Sequence, residues 1–327
     1  MELVRGLQGL GEKHRGAAIT VGSFDGIHLG HGALIASTCG LAKQLGKPAM
    51  MLTFEPLPRE YLAAHPNPGV ANPGMAKPAQ DPPARLTDFR ERWRLLERSD
   101  LHYVCVLRFD EKLRQLSGEQ FVELLTTRFA ASAVVVGQDF RFGRGGAGSI
   151  TLLRAAAEAG KFELELVPSV CTDDTRVSSS GVRSALAAGE FHRARDLLGR
   201  TYSMRGRVIA GEQLGRRLGY PTANLRMRRR KLPMTGIYAV RVRGVDTLHP
   251  HAARNGVASL GFRPTVDGTE PLLEVHVFDF NGVLYGSELD VEFVKKIRDE
   301  EKFASLDALV RQMHLDAAEA REILQVE

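Results

Sequence analysis

The feature that most constrains the fold is a change in the spacing of apolar residues near Thr201. Before it, short apolar runs that predict strands alternate with stretches in which apolar residues recur at helical spacing. After it, short strand-like segments follow one another across turns, with little helix between them. The chain has 327 residues, which is long enough for two domains that each bury a core. We therefore predict two modules, with the boundary between about residues 186 and 202.

The first module, residues 1–186, has the alternation that is typical of an α/β fold with a mostly parallel sheet and helices on both faces. Ligands of such sheets bind beyond the carboxyl ends of the strands. The stretch Ala64–Ala84 is rich in proline, so we predict a mobile surface loop there. The predicted strands are Ala17–Gly22, Pro48–Phe54, Tyr103–Leu107, Ala133–Gly137 and Leu164–Val167, and the predicted helices lie at Leu34–Leu45, Thr87–Arg98 and Gly118–Phe129.

A helical linker region, residues 187–202, leads to the second module, residues 203–327, for which we predict a small antiparallel β-barrel. The pair Asn281-Gly282 is a hairpin signal between two of its strands. Two helical stretches are expected to close the chain, one starting at Ser305 and one near Asp316. The predicted strands are Ser203–Ile209, Ile237–Arg243, Gly256–Leu260, Leu272–Phe280 and Glu288–Phe293.

Composition narrows the class of protein. The net charge is +5 and the pI about 9.2, and three widely spaced cysteines give no disulfide framework. No apolar run approaches the roughly 18 residues that span a bilayer, and Met1–Arg15 lacks an apolar signal segment, so we expect a cytoplasmic protein without a membrane partner. The basic run Arg226–Lys231 is interpreted as a solvated loop; nucleic-acid binding is the alternative, although the run has no interleaved aromatic residues.

The most informative segment runs from Gly22 to His31, between the first strand and the first helix. A helix N-terminus carries unpaired N–H groups and a partial positive charge, so it attracts phosphate. Glycines at 22, 26 and 30 let the backbone approach a ligand, and His28 and His31 are spaced to face one anion. This pattern predicts a nucleotide-phosphate site at the turn.

A second phosphate-type segment lies in the other module and includes Gly211, Gly219 and the run Pro221-Thr222-Ala223-Asn224. Thr222 offers a hydroxyl and Asn224 an amide oxygen, which are ligands that Mg²⁺ accepts beside nucleotide phosphates. The N–H groups of the glycine-rich loop Gly211–Gly219 can wrap phosphates. No P-loop sequence occurs in the chain, so a kinase here would be of another type.

Both segments resemble the prokaryotic bifunctional riboflavin kinase/FMN adenylyltransferase (FAD synthetase) family, and the resemblance extends from about residue 17 to 315. It implies a Rossmann-like nucleotidyltransferase domain followed by a riboflavin kinase barrel with a C-terminal helix. It also implies Mg²⁺ as cofactor and ATP, riboflavin, FMN and FAD as small-molecule partners, with no nucleic acid. The barrel would phosphorylate riboflavin to FMN, and the first module would adenylylate FMN to FAD with release of pyrophosphate.

The resemblance also implies roles for individual residues. Glu274 would be the general base of the kinase, and alternation places it on one strand face with His276 and Phe278. His28 and His31 would be catalytic in adenylyl transfer, Asp139, Phe140 and Arg298 would contact flavin, and Thr222 and Asn224 would hold the metal. The nucleotide and phosphate contacts would be Gly22, Phe24, Asp25, Gly26, His28, His31, Ser179, Ser180, Arg183, Gly211, Gly219, Thr222 and Asn224.

Two segments depart from the family pattern: Leu57 stands where histidine is frequent, and Gly148-Ser149 stands where a Gly-Asp pair is usual. One alternative is therefore an enzyme in which the adenylylation half is inactive. Another is transfer to a different phosphate acceptor, which the fused kinase signature disfavours.

Overall fold

A computed structural model describes residues 1–66, 82–211, 215, 218–246, 248–265 and 268–326. The chain forms two compact units, one of Met1–Pro83 with Arg92–Val177 and one of Ala84–Glu91 with Ser178–Glu327. Most of the predicted mobile loop Ala64–Ala84 lies outside the described residues. The domain boundary between about 186 and 202 stays a prediction, and the longer segment of the second compact unit starts at Ser178.

The first unit contains a six-stranded parallel sheet with the strand order β1-β4-β3-β2-β5-β6. Each strand predicted from the apolar runs is present, and β1 is an additional edge strand that the sequence patterns did not indicate. After β2 the chain builds outward through β3 and β4, then returns to place β5 on the other side of β2. The strands are β1 Glu2–Arg5, β2 Ala18–Val21, β3 Ala49–Glu55, β4 Tyr103–Arg108, β5 Ala133–Gly137 and β6 Glu163–Val167.

Both faces of this sheet are buried, as expected for parallel strands covered by helices. Neighbouring residues of one strand belong to different cores: Ile19 packs in one cluster and Ala18 in the other, and Met50 and Met51 divide in the same way. The predicted α/β architecture is confirmed. The helices are α1 Leu29–Leu45, α2 Pro58–Ala64, α3 Phe89–Leu96, α4 Glu111–Gln115, α5 Gly118–Glu123, which continues as a π-helix over Leu124–Arg128, and α6 Ile150–Glu158; β7 Cys171–Thr172 and β8 Thr175–Arg176 form a small hairpin.

The second unit contains a closed antiparallel barrel with the order β10-β13-β12-β11-β14-β9, which confirms the predicted fold. Its strand β10 was not predicted, because it lies inside the motif that carries Thr222. The strands are β9 Ser203–Ile209, β10 Ala223–Arg226, β11 Gly236–Arg243, β12 Arg254–Thr265, β13 Gly268–Val277 and β14 Glu288–Arg298, and the helices of this unit are α7 Ser179–Ala188, α8 Phe191–Leu198 and α9 Leu306–Val326.

Two predictions for the barrel are wrong. Asn281-Gly282 does not close a hairpin, because β13 pairs with β10 and β12 whereas β14 pairs with β9 and β11. The chain ends in one helix rather than two: α9 is continuous through Asp316, which is buried within it. Ser305 does cap that helix, since its Oγ accepts from the Ala308 N–H at 3.2 Å.

The basic run Arg226–Lys231 is not a uniformly solvated loop. Arg226 ends β10, and the Arg229 side chain is buried in an ion pair with Glu91. The Glu91 carboxylate also accepts from the Arg205 N–H at 2.8 Å, while Leu86 O accepts from the Tyr202 hydroxyl at 2.9 Å. The short segment Ala84–Glu91 is therefore hydrogen-bonded into the barrel unit.

Candidate active sites

The turn that follows β2 is held in an unusual backbone conformation. Phe24 and Ile27 have φ values of 49° and 40°, in the left-handed region that non-glycine residues rarely adopt, and Gly26 has φ 87°. Phe24 and Asp25 are buried under the turn. Such strain persists only where the surrounding packing imposes it, and it is concentrated at functional sites.

The two predicted histidines form one unit at the start of α1. His28 is the N-cap residue, and its Nδ1 accepts from the His31 N–H at 3.3 Å. The two imidazoles stack with 3.6 Å between centroids and 14° between planes. A side chain at Gly30 would place its Cβ 3.3 Å from the His28 ring, so the small residue between the histidines allows this packing. The structure thus brings His28 and His31 together at a helix N-terminus.

The predicted residues Asp139 and Phe140 follow β5, the neighbour of β2 at the point where the strand order reverses. That reversal point is where open α/β sheets bind ligands. Asp139 forms an exposed ion pair with Arg176, and Phe140 stacks on Phe142 with 5.5 Å between centroids. Phe142 is a buried core residue, whereas Phe140 is only partly covered. Phe140 therefore retains exposed ring surface beyond the carboxyl end of β5.

Arg92 is a supporting residue that the sequence patterns missed. Its guanidinium is buried and donates to Ser23 O at 2.8 Å and to the Glu55 carboxylate at 3.0 Å. The Thr53 hydroxyl donates to the same Ser23 carbonyl at 3.3 Å. Arg92 therefore ties the carboxyl end of β3 to the strained turn after β2.

Leu57 and Gly148, from the two segments that differ from the family pattern, both have structural roles. Leu57 is buried at the start of α2, so an apolar side chain suits its surroundings. A Cβ at Gly148 would lie 2.7 Å from the Phe142 ring and 2.9 Å from the Phe142 carbonyl, with which Gly148 forms a bridge. The predicted phosphate segment Ser179–Arg183 lies at the start of α7 in the other unit. The Ser178 hydroxyl caps this helix by accepting from the Gly181 N–H at 3.1 Å, and Arg183 Nε donates to Ala84 O at 2.6 Å. Ser179 and Ser180 form the first turn of that helix.

A cavity of about 480 Å³ opens into the barrel. Strand register aligns a single row of residues along it: Asn224 lies opposite Glu274, Glu274 opposite Ser259, Ser259 opposite Ile237, and Ile237 opposite Arg298. All five residues line the cavity, as does Thr222. Four predicted site residues, Thr222, Asn224, Glu274 and Arg298, are therefore brought to one cavity from three strands and the residue before β10.

Glycines admit the polar side chains at the mouth of this cavity. A Cβ at Gly211 would lie 2.3 Å from Asn224 Nδ2, and one at Gly215 would lie 3.2 Å from Thr222 Oγ1. Gly219 has φ 84°, which favours glycine. The rest of the predicted phosphate loop, residues 212–214, 216 and 217, lies outside the described residues. Asn224 is buried and Thr222 half-buried.

Two acidic residues, Asp316 and Glu300, line the cavity beside Arg298 and Ser259. Asp316, from α9, binds the Arg298 guanidinium with both carboxylate oxygens, at 2.8 and 2.7 Å, and this pairing raises the pKa of Arg298. The Glu300 carboxylate accepts from the Ser259 hydroxyl at 3.3 Å, and desolvation raises its pKa although Ser259 and Arg298 oppose the shift. Neither partnership was predicted. Arg298 is thus held in place rather than being a freely moving surface cation.

Comparison with known proteins identifies two modules in the chain. The FAD synthetase family model matches residues 10–181, and the riboflavin kinase model matches residues 198–324. Curated relatives named bifunctional riboflavin kinase/FMN adenylyltransferase include one from Haemophilus influenzae, 39% identical over 98% of both chains. Another, from Pseudomonas fluorescens, is 40% identical over 99% of this chain and 98% of its own. The chain belongs to the bifunctional riboflavin kinase/FMN adenylyltransferase family.

The family assignment makes the chain an ATP-dependent enzyme of FAD synthesis with two activities. The parallel-sheet unit carries its FAD synthetase module and the barrel its riboflavin kinase module. The chain is also similar to a solved structure described as a macrolide-efflux protein from Streptococcus pneumoniae, with 29% identity, a TM-score of 0.76 and 96% coverage of each chain. That description differs from the names of the curated relatives. Within the described residues of the present chain, no helix is long and apolar enough to cross a membrane.

The oxygen ligands predicted for Mg²⁺ suit a partial coordination sphere. Mg²⁺ in nucleotide sites keeps several waters and takes one or two protein ligands beside the phosphates, and Thr222 and Asn224 could supply a hydroxyl and an amide oxygen. The described residues include no cluster of three or more His, Cys, Asp or Glu side chains that would form an all-protein metal site. The donor set at the cavity thus fits a metal that arrives with ATP.

Proposed function

We propose that the riboflavin kinase module phosphorylates riboflavin in the barrel cavity, with Glu274 as general base, and that the FAD synthetase module transfers AMP to FMN at the His28–His31 turn. The observation that carries the proposal is the row in the barrel, where Asn224 and Glu274 are direct cross-strand partners in one cavity. A phosphate-side residue and a proton acceptor are thereby held side by side by backbone register.

In the kinase reaction, the 5′-hydroxyl oxygen of riboflavin bonds to the γ-phosphorus of ATP as the bond to ADP breaks. Glu274 takes the hydroxyl proton. Arg298, which lines the cavity and is held by Asp316, would orient the flavin. Thr222 and Asn224 would hold Mg²⁺, which offsets phosphate charge when bound. The N–H groups of Gly211 and Gly219 are further candidates for phosphate contacts.

In the adenylyl transfer, a phosphate oxygen of FMN bonds to the α-phosphorus of ATP, and pyrophosphate leaves. His28 and His31 would donate hydrogen bonds to the triphosphate at the N-terminus of α1. Gly22, Phe24, Asp25 and Gly26 would shape the nucleotide pocket, and Asp139 and Phe140 would contact the flavin. Phosphate binding by Ser179, Ser180 and Arg183 stays a prediction from the sequence.

The test is a product assay on the purified chain with riboflavin, ATP and Mg²⁺, in which FMN and FAD are separated and quantified over time. We expect FMN to appear first and FAD to follow. His31→Ala should stop FAD formation while FMN accumulates, and Asn224→Ala should stop FMN formation while supplied FMN is still converted to FAD. Removing Mg²⁺ with a chelator should stop both reactions.

The same assay separates the alternatives. FMN without FAD from the parent chain would support an inactive adenylylation half, whereas the loss of both activities in a folded single variant would contradict two independent sites. His192→Ala is a matched control for His31→Ala, because His192 is an exposed histidine on α8. A cytoplasmic location, where ATP is available, is part of the same proposal and is checked by cell fractionation.

A further inference from the structure

The segment Tyr220–Pro221 comes directly before the candidate metal ligand Thr222. We propose that His276 is a positioning residue for phosphoryl transfer: its imidazole holds the Pro221 carbonyl and thereby fixes Thr222 and Asn224 relative to Glu274. This inference rests on the proposed kinase function of the barrel. His276 is not a catalytic residue in this scheme, since its ring contacts the backbone that carries the ligands.

The first step of the argument is the place where the β10–β13 ladder stops. Asn224 pairs with Glu274 and Ala223 with Val275, and continuing the register would set Thr222 opposite His276. The residue before Thr222 is proline, which has no N–H to extend a ladder. Its carbonyl needs another partner, and the His276 ring provides one with Nδ1 2.9 Å from Pro221 O. A side chain therefore replaces the next backbone hydrogen bond.

That contact determines which ring nitrogen of His276 carries a hydrogen. A carbonyl oxygen only accepts, so Nδ1 of His276 must carry the hydrogen. His276 lies two residues from Glu274 on the same strand, and both line the cavity. One rigid strand thus carries the proposed base and the group that holds the proposed metal ligands. Outer partners that orient metal ligands typically contribute about 10- to 100-fold to metal affinity or activity.

A second contact holds the same segment from the side of α9. The Tyr220 hydroxyl lies 2.5 Å from His314 Nδ1, and the Tyr220 ring packs edge-on against the His276 and His314 rings, with centroids 5.0 and 5.2 Å away. The Tyr220–Pro221 segment is therefore held between β13 and the C-terminal helix. Loss of the His276 bond would leave the Pro221 carbonyl without the partner that β13 supplies, so Thr222 would lose its alignment with Glu274.

The experiment compares His276→Leu with His276→Asn in the full chain. The asparagine amide can place an N–H near the position of Nδ1, whereas leucine keeps bulk without a donor. We expect His276→Leu to lower kcat for FMN formation about 10- to 100-fold and to raise the half-saturating Mg²⁺ concentration by a similar factor. His276→Asn should restore both values to within about threefold of the parent, which a role in packing alone would not produce.

Two internal controls make the outcome decisive. FAD formation from supplied FMN, measured on the same samples, should be unchanged in both variants, and His251→Leu, an exposed histidine of the barrel unit, should match the parent throughout. An unimpaired His276→Leu variant, or an asparagine variant as impaired as the leucine variant, would overturn the positioning role. A parent chain that makes no FMN would instead overturn the kinase assignment on which the inference rests.

Discussion

The two candidate sites are built in opposite ways. The FAD synthetase site is centred on ten consecutive residues, Gly22–His31, whose geometry comes from left-handed backbone positions and one helix N-terminus. The kinase site draws Thr222, Glu274 and Asp316 from distant parts of the chain. Strand register aligns Asn224, Glu274, Ser259 and Arg298 across the barrel, and α9 brings Asp316 to Arg298. Local sequence can specify the first site almost alone, whereas the second exists only once the barrel has closed.

The largest expected effect tests whether the barrel site works on its own. Glu274→Gln removes the proposed base while keeping side-chain size and the pairing with Asn224. General-base catalysis typically contributes about 10²- to 10⁴-fold, so FMN formation should fall by that factor. FAD formation from supplied FMN should not change, because the other site uses none of the barrel row. Separate rate measurements with riboflavin and with FMN check both parts.

A matched control is available on the same strand. Glu270→Gln makes the same chemical change at an exposed position near the start of β13, opposite Arg263. We expect its FMN formation to equal that of the parent. Equal rates of FMN formation in the Glu274→Gln and Glu270→Gln variants would contradict the assignment of Glu274 as base. The barrel row would then align residues without providing the proposed proton acceptor.

The second effect concerns the support of the local turn. Arg92→Met keeps the apolar length of the side chain but removes the hydrogen bonds to Ser23 O and the Glu55 carboxylate. Hydrogen bonds to charged groups are worth about 1.5–3 kcal/mol, so the first unit should lose stability on that scale. Denaturant unfolding and the rate of FAD formation should both report the change, with FMN formation affected least.

Arg98→Met, an exposed arginine just beyond the same helix, controls for the loss of charge. Arg92→Lys keeps the charge but not the planar fork that reaches two acceptors, so it should be intermediate. Equal rates of FAD formation in the Arg92→Met and Arg98→Met variants would mean that the turn keeps its shape without this support. The conformation of the Gly22–His31 turn would then be set by its own residues, without the hydrogen bonds from Arg92.

How much the sequence could predict follows the same division. Hydrophobic periodicity predicted the parallel sheet, the barrel and most strands, and the ten-residue turn could be interpreted directly. Strand β10 was missed because it has only four residues and starts with alanine and asparagine, which are depleted in strands. Arg92 was missed because Arg90, Arg92 and Arg94 look equivalent in the sequence, and only the helical phase in the folded protein turns Arg92 inward.

The supporting residues of the barrel site, Ser259 and Asp316, could not be predicted either, because their partners are distant in the sequence. Ser259 joins the row through its pairing with Glu274 and Ile237, and Asp316 reaches Arg298 because α9 runs unbroken through it. A spacing of 18 residues between Arg298 and Asp316 carries no signal in a single sequence. Site residues that come from different strands and helices can be predicted only when the strand pairing is known, whereas those within one turn can be predicted from the local sequence.

The smallest expected effect is on the pH dependence of stability and comes from Glu300, a carboxylic acid that lines the barrel cavity. Burial raises the pKa of Glu300 above its ordinary value of 4.5, although the Ser259 hydroxyl donates to the carboxylate. The folded state therefore binds the Glu300 proton more tightly than the unfolded state does. Its contribution to stability is present below pH 4.5 and is lost as the pH rises through the raised folded pKa.

Glu300→Gln should abolish this loss of stability. The Tm of the variant minus the Tm of the parent should therefore increase as the pH rises from about 4 to about 7. Because the carboxylate is partly open to solvent, the gain should stay below the ~2–4 °C that 1 kcal/mol gives for a unit of this size. Glu301→Gln, one residue along the chain, controls for the removed charge. Melting curves at several pH values would contradict the argument if the two glutamine variants followed the same profile. The pH dependence would then belong to the acidic segment as a whole and not to the one carboxylate that accepts from the Ser259 hydroxyl.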